Sequence, residues 1–171
     1  PRNATITKAT IQFKVDETST EVTSLSIQGE ASSNAIAFAT TSRNVSSRLR
    51  TMNTMSWSPV SWLTLGQMGT GQRTPNLSPI VQEIVNQSGW VTGNSLVMII
   101  SGTGTGKRVA EAYEVDPGGA PLLHIEYTAV VGVTNTPTLT ATPTASALIR
   151  RAIRICWRPN GTAGRASTGL K

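Results

Sequence analysis

The sequence predicts an all-β fold: a jelly-roll-like β-sandwich with one short helix, followed by an extended C-terminal tail. Short segments of alternating apolar and polar residues recur along the chain, separated by turns rich in glycine and proline, as expected for strands with one buried face. Charged residues make up 14% of the 171 residues and aromatic residues 5%, a composition typical of β-rich surface proteins. A chain of this length has room for one hydrophobic core.

Charge divides the chain into two parts. Residues 1–128 carry nine acidic and nine basic side chains, whereas residues 129–171 carry six basic ones and no acidic one, which accounts for the whole net charge of +6. We therefore expect a sandwich domain at 1–128, a Thr/Pro-rich linker at 129–146 and a basic tail at 147–171. The linker, with its TNTPTLTATPT stretch, favours an extended, polyproline-like backbone.

Alternation and apolar runs place the strands of the domain. Residues 9–16 alternate strictly, and residues 95–101 form a nearly continuous apolar run typical of a central strand. Pro59 lies inside the segment 55–65 and indicates two short strands or one strand broken at an edge. The expected strands cover residues 9–16, 24–30, 35–39, 55–65, 95–101, 108–113 and 123–127.

One segment predicts a helix. Ser78 can cap its N-terminus, Pro79 suits the first helical position, and Gly89 supplies a C-terminal stop. We expect this helix to pack on the sandwich through an apolar stripe. The stripe is formed by Ile80, Val81, Ile84 and Val85.

Residues 147–158 of the tail fit two structures. As a helix they are amphipathic with an arginine face, which is typical of binding to a membrane surface or an anionic partner. As a strand, Ile153, Ile155 and Trp157 alternate with other residues, and the segment can then add to the sheet edge of another subunit. Under this second interpretation the inter-subunit residues are Leu148, Ile149, Ile153, Ile155 and Trp157.

The chain carries no catalytic constellation, and we expect a protein that is not an enzyme and that holds no cofactor or metal. Gly102–Lys107 resembles a phosphate loop, but the spacing is one residue short and a strand pattern follows it, so a hairpin turn is expected. His124 is the single histidine, and residues 16–21 hold the one carboxylate cluster, with a solvated loop favoured over a calcium site. The lone Cys156 excludes an internal disulfide and leaves a cross-link between subunits open.

Aromatic and arginine side chains in the domain suit a sugar-binding face, because flat rings beside polar groups stack well on carbohydrate. The competing interpretation is that tryptophans of a small sandwich fill its core or plug its ends. The candidate glycan-binding residues are Trp57, Trp62, Arg48, Arg50 and Arg73. Sequons that permit surface glycans occur at Asn3, Asn44, Asn76, Asn86 and Asn160.

Several runs of the domain resemble a module of secreted bacterial proteins, namely ITKATIQFKVDE (6–17), SLSIQGEAS (24–32), QRTPNLSPIVQEIVN (72–86), GW (89–90) and APLLHIEYT (120–128). Over about residues 4–128 the chain is similar to carbohydrate-binding-like β-sandwiches near the DNRLRE-type domains, and its linker is similar to those of filamentous thermophilic bacteria. The resemblance implies a non-enzymatic extracellular module without ligand residues to carry over. Such modules usually have strands upstream of ITKATIQF, so we expect a sandwich that lacks its first strands and has an unpaired edge.

Two functions follow as hypotheses. The favoured one is a structural protein at the cell surface, a subunit of an extracellular filament or fibre that polymerises with itself, head to tail, by strand complementation from the C-terminal tail. The alternative is a carbohydrate-binding module of a secreted multidomain protein, with a polysaccharide as partner. Nucleic acid is not expected as a partner, because no nucleic-acid-binding fold or aromatic–basic interleaving is present, and a membrane partner is less favoured than the other two.

Overall fold

The computed structural model describes residues 1–102 and 106–129 with their side chains, and residues 144–149 and 153–158 as backbone strands. Within these residues the protein is all-β with one short helix, as predicted. A single 3₁₀ turn, Thr70–Gln72, precedes the helix. The elements in chain order are β1 (Thr5–Gln12), β2 (Val15–Glu17), β3 (Leu25–Gly29), β4 (Met55–Trp57), α1 (Ser78–Val85), β5 (Leu96–Gly102), β6 (Val109–Ala110), β7 (Leu122–Thr128), β8 (Thr144–Ile149) and β9 (Ile153–Arg158).

The strands form two main sheets and a small ribbon. The strand order is β1-β7-β8 in one sheet and β4-β3-β5-β9 in the other, while β2 and β6 pair at one end. All neighbours are antiparallel except β5 and β9, which are parallel. Strands β8 and β9 therefore lie at the outer edge of one sheet each.

The main core lies between the sheets and α1. Its members include Ile11 from β1, Ile27 from β3 and Ile84 from α1, all fully buried. Helix α1 packs closely on the end of β3, because a Cβ added at Gly29 would lie 2.6 Å from the Cδ1 of Ile84. Burial of such side chains contributes about 1.5–3 kcal/mol each, so the apolar stripe of α1 holds the helix against both sheets.

Strand β5 is buried on both of its faces. Leu96, Met98 and Ile100 belong to the main core, whereas Val97 and Ile99 pack in a second cluster on the outer side of the sheet. This second cluster is completed by Ala35, Phe38 and Val45. The apolar run at 95–101 thus marks a strand without a solvated face, as predicted.

The segment that supplies the second cluster corrects one prediction. Residues 35–39 are not a strand; they form part of an irregular cover over β5. The backbone N–H of Ala35 donates to Ser95 O, but the segment crosses the face of the sheet and joins none of its strand pairs. Its alternation reflects packing onto β5.

Other boundaries also differ from the sequence prediction. The helix begins at Ser78 itself, with Leu77 as N-cap and the Asn76 Oδ1 accepting from the Ser78 N–H. It ends at Val85, four residues before the predicted stop at Gly89. Strand β8 begins at Thr144, inside the predicted linker, and the rest of the Thr/Pro stretch lies outside the described residues.

Candidate strand-complementation site

The most informative site in the molecule is the outer edge of β5, which the tail pairs with. One edge of β5 pairs with β3, and the other pairs in parallel with β9 from the tail. A strand buried on both faces needs hydrogen-bonding partners at both edges, since each unpaired buried backbone group costs about 1–3 kcal/mol. The register brings Leu96, Met98 and Ile100 opposite Ile153, Ile155 and Trp157 respectively.

The neighbouring sheet has a corresponding outer edge at β7. Strand β8 pairs with it antiparallel, from Thr128 opposite Thr144 to Leu123 opposite Ile149. Leu148 lies opposite His124 in this register. The tail therefore completes both sheets on one side of the sandwich, which we call the tail flank, formed by the outer edges of β5 and β7.

All five tail residues predicted to mediate assembly lie on β8 and β9, opposite residues of the tail flank. Of the two structures that the tail sequence allowed, the structure has strands, and the amphipathic helix at 147–158 was the wrong alternative. The segment that pairs here belongs to the same chain. The outer edges of β5 and β7 are thus paired by the chain's own C-terminal segment.

The opposite side of the sandwich, formed by the outer edges of β1 and β4, is closed differently, and we call it the capped flank. Side chains take the place of a strand along β1: Thr74 Oγ1 accepts from the Ile11 N–H and Asn76 Oδ1 from the Ala9 N–H, each at 2.9 Å. Farther along, Gln82 Oε1 accepts from the Ile6 N–H at 2.7 Å. These bonds satisfy the strand and leave no row of donors for another chain.

At the other sheet, the capped flank ends in β4, which has only three residues and is followed by Pro59. A short strand ended by proline offers little edge to a partner. The capped flank is therefore closed to further strands by residues 1–129 alone, whereas the tail flank is completed by the tail.

The two tryptophans predicted to bind sugar lie in the core. Trp57 is 8% exposed and Trp62 is 1% exposed. The Phe13 ring stacks on Trp57 with centroids 5.6 Å apart, and the Trp62 indole donates from Nε1 to Gly71 O. Neither ring presents a face on which a sugar could stack, which agrees with the competing interpretation of these residues.

The three arginines of that set lie apart from one another. The Arg48 guanidinium pairs with Glu30 at 2.5 Å, in a nearly buried ion pair, and lies 4.4 Å from the Phe38 ring centroid. Arg50 donates to Ser101 Oγ, and the exposed Arg73 donates to Gln12 Oε1. Arg48 thus fastens the irregular cover of β5, and the structure does not assemble these residues into one binding face.

Arg108 is a structural residue that the sequence prediction missed. It is 4% exposed, whereas the sequence pattern placed it only at the start of an expected strand, 108–113. Burial lowers the pKa of Arg108 from its usual value, and nearby Glu21 opposes this effect. The guanidinium is satisfied without a paired carboxylate, by the carbonyls of Glu21, Pro59, Val60 and Lys107 and the hydroxyls of Ser19 and Thr23.

The remaining polar candidates lie in separate ion pairs. His124 Nε2 lies 3.0 Å from Glu126 Oε1 on the outer face of β7, and Lys8 lies 3.5 Å from the same oxygen. The hydrogen bond from His124, helped by the Lys8 charge, lowers the pKa of Glu126. Glu17 of the carboxylate cluster pairs with Lys107. Within residues 1–102 and 106–129, no three His, Cys, Asp or Glu side chains are grouped as metal ligands.

Two further findings concern membrane-spanning helices among the described residues and similarity to known proteins. The helix that the described residues contain has eight residues, and no helix among them is long and apolar enough to span a bilayer. In comparisons with known proteins, no family model, no curated protein and no solved structure matches this chain.

Proposed function

We propose that the protein is a non-catalytic structural subunit of an extracellular filament or surface fibre, in which each copy donates β8 and β9 to the tail flank of the next. The observation that carries this proposal is β5, which is buried on both faces and yet depends on β9 for its second edge. Strand addition at such an edge combines backbone hydrogen bonds with apolar side chains at alternate positions.

The connection between the body of the protein, which is residues 1–129, and the tail strands β8 and β9 supports donation to a second copy. Thr128 and Thr144 are paired neighbours, although the 15 residues 129–143 separate them. A hairpin needs only about two to five residues to join such neighbours. The surplus length lets the same two strands reach the flank of their own body or that of another copy, where the same contacts form.

Concentration decides between these two placements. A tail joined to the body by a short connection competes for its own flank with an effective concentration in the millimolar range. Donation to neighbours is therefore favoured where copies are crowded together, as on a cell surface. The contact is head to tail, so it extends into a fibre unless the rotation between copies closes a ring.

The surface location is part of the proposal. It is supported by the low charge content of 14% and by the Thr/Pro-rich linker sequence. Polysaccharide binding, the alternative hypothesis, has no comparable support in the described residues, because Trp57 and Trp62 are core residues.

The lone cysteine provides the decisive experiment. Cys156 lies opposite Ile99 in the β5–β9 register, and paired strands lie about 4.8 Å apart, within reach of a disulfide. The full chain carrying Ile99→Cys is oxidised at high concentration and separated on a non-reducing gel. We expect a ladder of covalent multimers, because two thiols per copy link a continuous chain of donors and acceptors.

The matched control is Val97→Cys, another buried position on the same face of β5, which lies opposite Arg154 and should not cross-link. A product that is only an internally cross-linked monomer would overturn the filament proposal. Equal cross-linking in both variants would contradict the β5–β9 register itself. Electron microscopy of the same samples checks that the ladder corresponds to fibres.

A further inference from the structure

The exposed apolar side chains of the body concentrate at the two ends of the sandwich. One end comprises residues 13–23, 58–72 and 106–121, and the other comprises residues 1–4, 30–54 and 83–95. Of the 11 large apolar side chains exposed in the described residues, seven lie at the first end: Val22, Val60, Leu63, Leu65, Met68, Tyr113 and Val115. The other four lie at the second end: Ile36, Leu49, Met52 and Val91.

Direct contacts join the loops of the first end into one surface. Backbone hydrogen bonds in both directions link Ser19 and Trp62, at 2.8 and 2.9 Å. Arg108 ties Glu21 to Pro59 through their carbonyls. Lys14 lies between the loops, since Cβ atoms built at Gly66 and Gly119 would contact its side chain.

One exposed loop of this end is held in a fixed conformation. Thr64–Gln67 forms a turn in which the Gln67 N–H donates to Thr64 O, and Gly66 takes the left-handed φ of 74° that the turn requires. The Gly66 N–H also donates to Val15 O, which fixes the turn on β2. Leu65, at its tip, is 65% exposed. An apolar side chain held out rigidly in this way is preorganised for a partner.

The first end is acidic. It carries six acidic side chains against three basic ones, a net charge of −3, and we call it the acidic end. The bases are Lys14, Lys107 and Arg108; the acids are Asp16, Glu17, Glu21, Glu111, Glu114 and Asp116. Lys14 pairs with Asp116, Lys107 pairs with Glu17, and Arg108 is buried. The other four acids form no ion pair within 4 Å with any side chain of residues 1–102 and 106–129.

The second end has the opposite sign. It carries Arg2, Arg43, Arg48 and Arg50 against Glu30 and Glu83, a net charge of +2, and we call it the basic end. Both of its acids are engaged by groups of the same end. Glu30 pairs with Arg48, and the Glu83 carboxylate accepts from the backbone N–H groups of Met52 and Asn53. The charge that this end presents outward is therefore positive.

We infer that the acidic end of one copy docks against the basic end of a second copy of this chain. Each end combines exposed apolar side chains with a charge opposite to that of the other end, whereas two like ends would repel each other. The contact is heterologous, so the docked pair again presents one acidic and one basic end and can grow. This inference deepens the proposed self-assembly by adding a second contact, distinct from the tail flank, that fixes the order of subunits.

Charge reversal at each end tests the inference in the full chain. Arg43 is exposed at the basic end with φ of 62°, a backbone that Asp tolerates well, so Arg43→Asp changes charge without strain. Glu114→Lys reverses an exposed charge at the acidic end. Sedimentation velocity at low salt should show that each variant alone self-associates at least about tenfold more weakly than the parent chain.

Mixing the two variants gives the sharpest readout. Each variant keeps one unaltered end, and the intact acidic end of Arg43→Asp matches the intact basic end of Glu114→Lys. An equimolar mixture should therefore recover association, while salt at about 1 M, where the Debye length is about 3 Å, should weaken it. The matched control is Arg73→Asp, which reverses an exposed charge on the side of the body and should leave association unchanged.

A parallel Ile155→Asp variant separates this contact from tail donation. Loss of association only in Ile155→Asp, with both end variants unaffected, would overturn the end-to-end contact and leave strand donation standing. Association that survives Ile155→Asp but is lost in each end variant and restored by mixing would support the end-to-end contact alone. A parent chain that does not associate at low salt, or a mixture that shows no recovery, would also overturn the inference.

Discussion

The two flanks of the sandwich satisfy the hydrogen-bonding groups of their edge strands in different ways. On the capped flank, Thr74, Asn76 and Gln82 satisfy the β1 edge through their side chains, and β4 stops after three residues. On the tail flank, the β5 and β7 edges are each seven residues long and pair with complete strands. An edge whose N–H groups bond to nearby side chains has none left for another strand. An edge that pairs with a tethered strand, by contrast, can exchange that strand with another copy.

Removing the tail should have the largest effect on stability, because it takes away both partner strands of the tail flank. The capped flank is left unchanged. A chain ending at Ala129 loses the pairing partners of β5 and β7, and at about 1 kcal/mol per lost hydrogen bond the cost is on the order of 5 kcal/mol. Urea denaturation of the truncated and full chains measures this loss in the free energy of unfolding. Equal stability of the two would mean that the tail flank does not depend on the tail.

The buried guanidinium of Arg108 should have the next largest effect. Arg108→Ala leaves several buried carbonyls and hydroxyls without a donor, which we expect to cost about 3 kcal/mol. The control is Lys107→Ala, whose ion pair with Glu17 is about half exposed and should therefore contribute much less to stability than the Arg108 contacts. If Arg108→Ala also destabilises the truncated chain, the hydrogen bonds of Arg108 stabilise the body independently of the tail flank.

The capped flank should respond weakly to any single change. Thr74→Val keeps the shape of the side chain but removes the acceptor of the Ile11 N–H, at a cost of about 1–2 kcal/mol. Thermal unfolding of Thr74→Val and of an exposed control, Thr70→Val, measures the difference. New self-association of Thr74→Val would show that this side chain keeps the capped flank closed to other chains.

The smallest expected effect is on how the stability of the fold depends on pH. The hydrogen bond from Lys14, supported by the Gly119 and Gly118 N–H groups, lowers the pKa of Asp116 below its ordinary value of 3.8. A carboxyl group whose pKa is lower in the folded state stabilises the fold above its unfolded pKa, and this contribution is lost as pH falls through the folded value. Stability should therefore decline below about pH 4, less steeply in Asp116→Asn, as urea midpoints across that range would show.

Local pattern was enough to find most elements of the fold. The alternation at 9–16 and 123–127 and the capped apolar stripe of α1 led to β1, β7 and the helix, because side-chain period reports directly which face is buried. The local pattern wrongly predicted a strand at 35–39, where apolar residues pack on a sheet without belonging to it. It also could not separate helix from strand at 147–158, since the same residues fit both periods and only the partner strands favour one.

The candidate site depended more on tertiary contacts than the fold did. The tail residues Leu148, Ile149, Ile153, Ile155 and Trp157 were found from their pattern, but their placement opposite β5 and β7 of the same chain was not. Arg108 gave no sequence signal, because the carbonyls that accept from it come from three separate segments. Trp57 and Trp62 fitted a core, the favoured interpretation, or a sugar site, and only their burial decided between the two.

The sequence by itself determined the all-β class, the single helix and the division into a neutral body and a basic tail. Composition, period and the count of charges are properties of the chain, so they can be obtained without coordinates. Only the tertiary structure decided that the neutral body has an acidic and a basic end, and that one flank is capped while the other is completed by the tail. Both depend on which distant segments meet, and no local pattern encodes that.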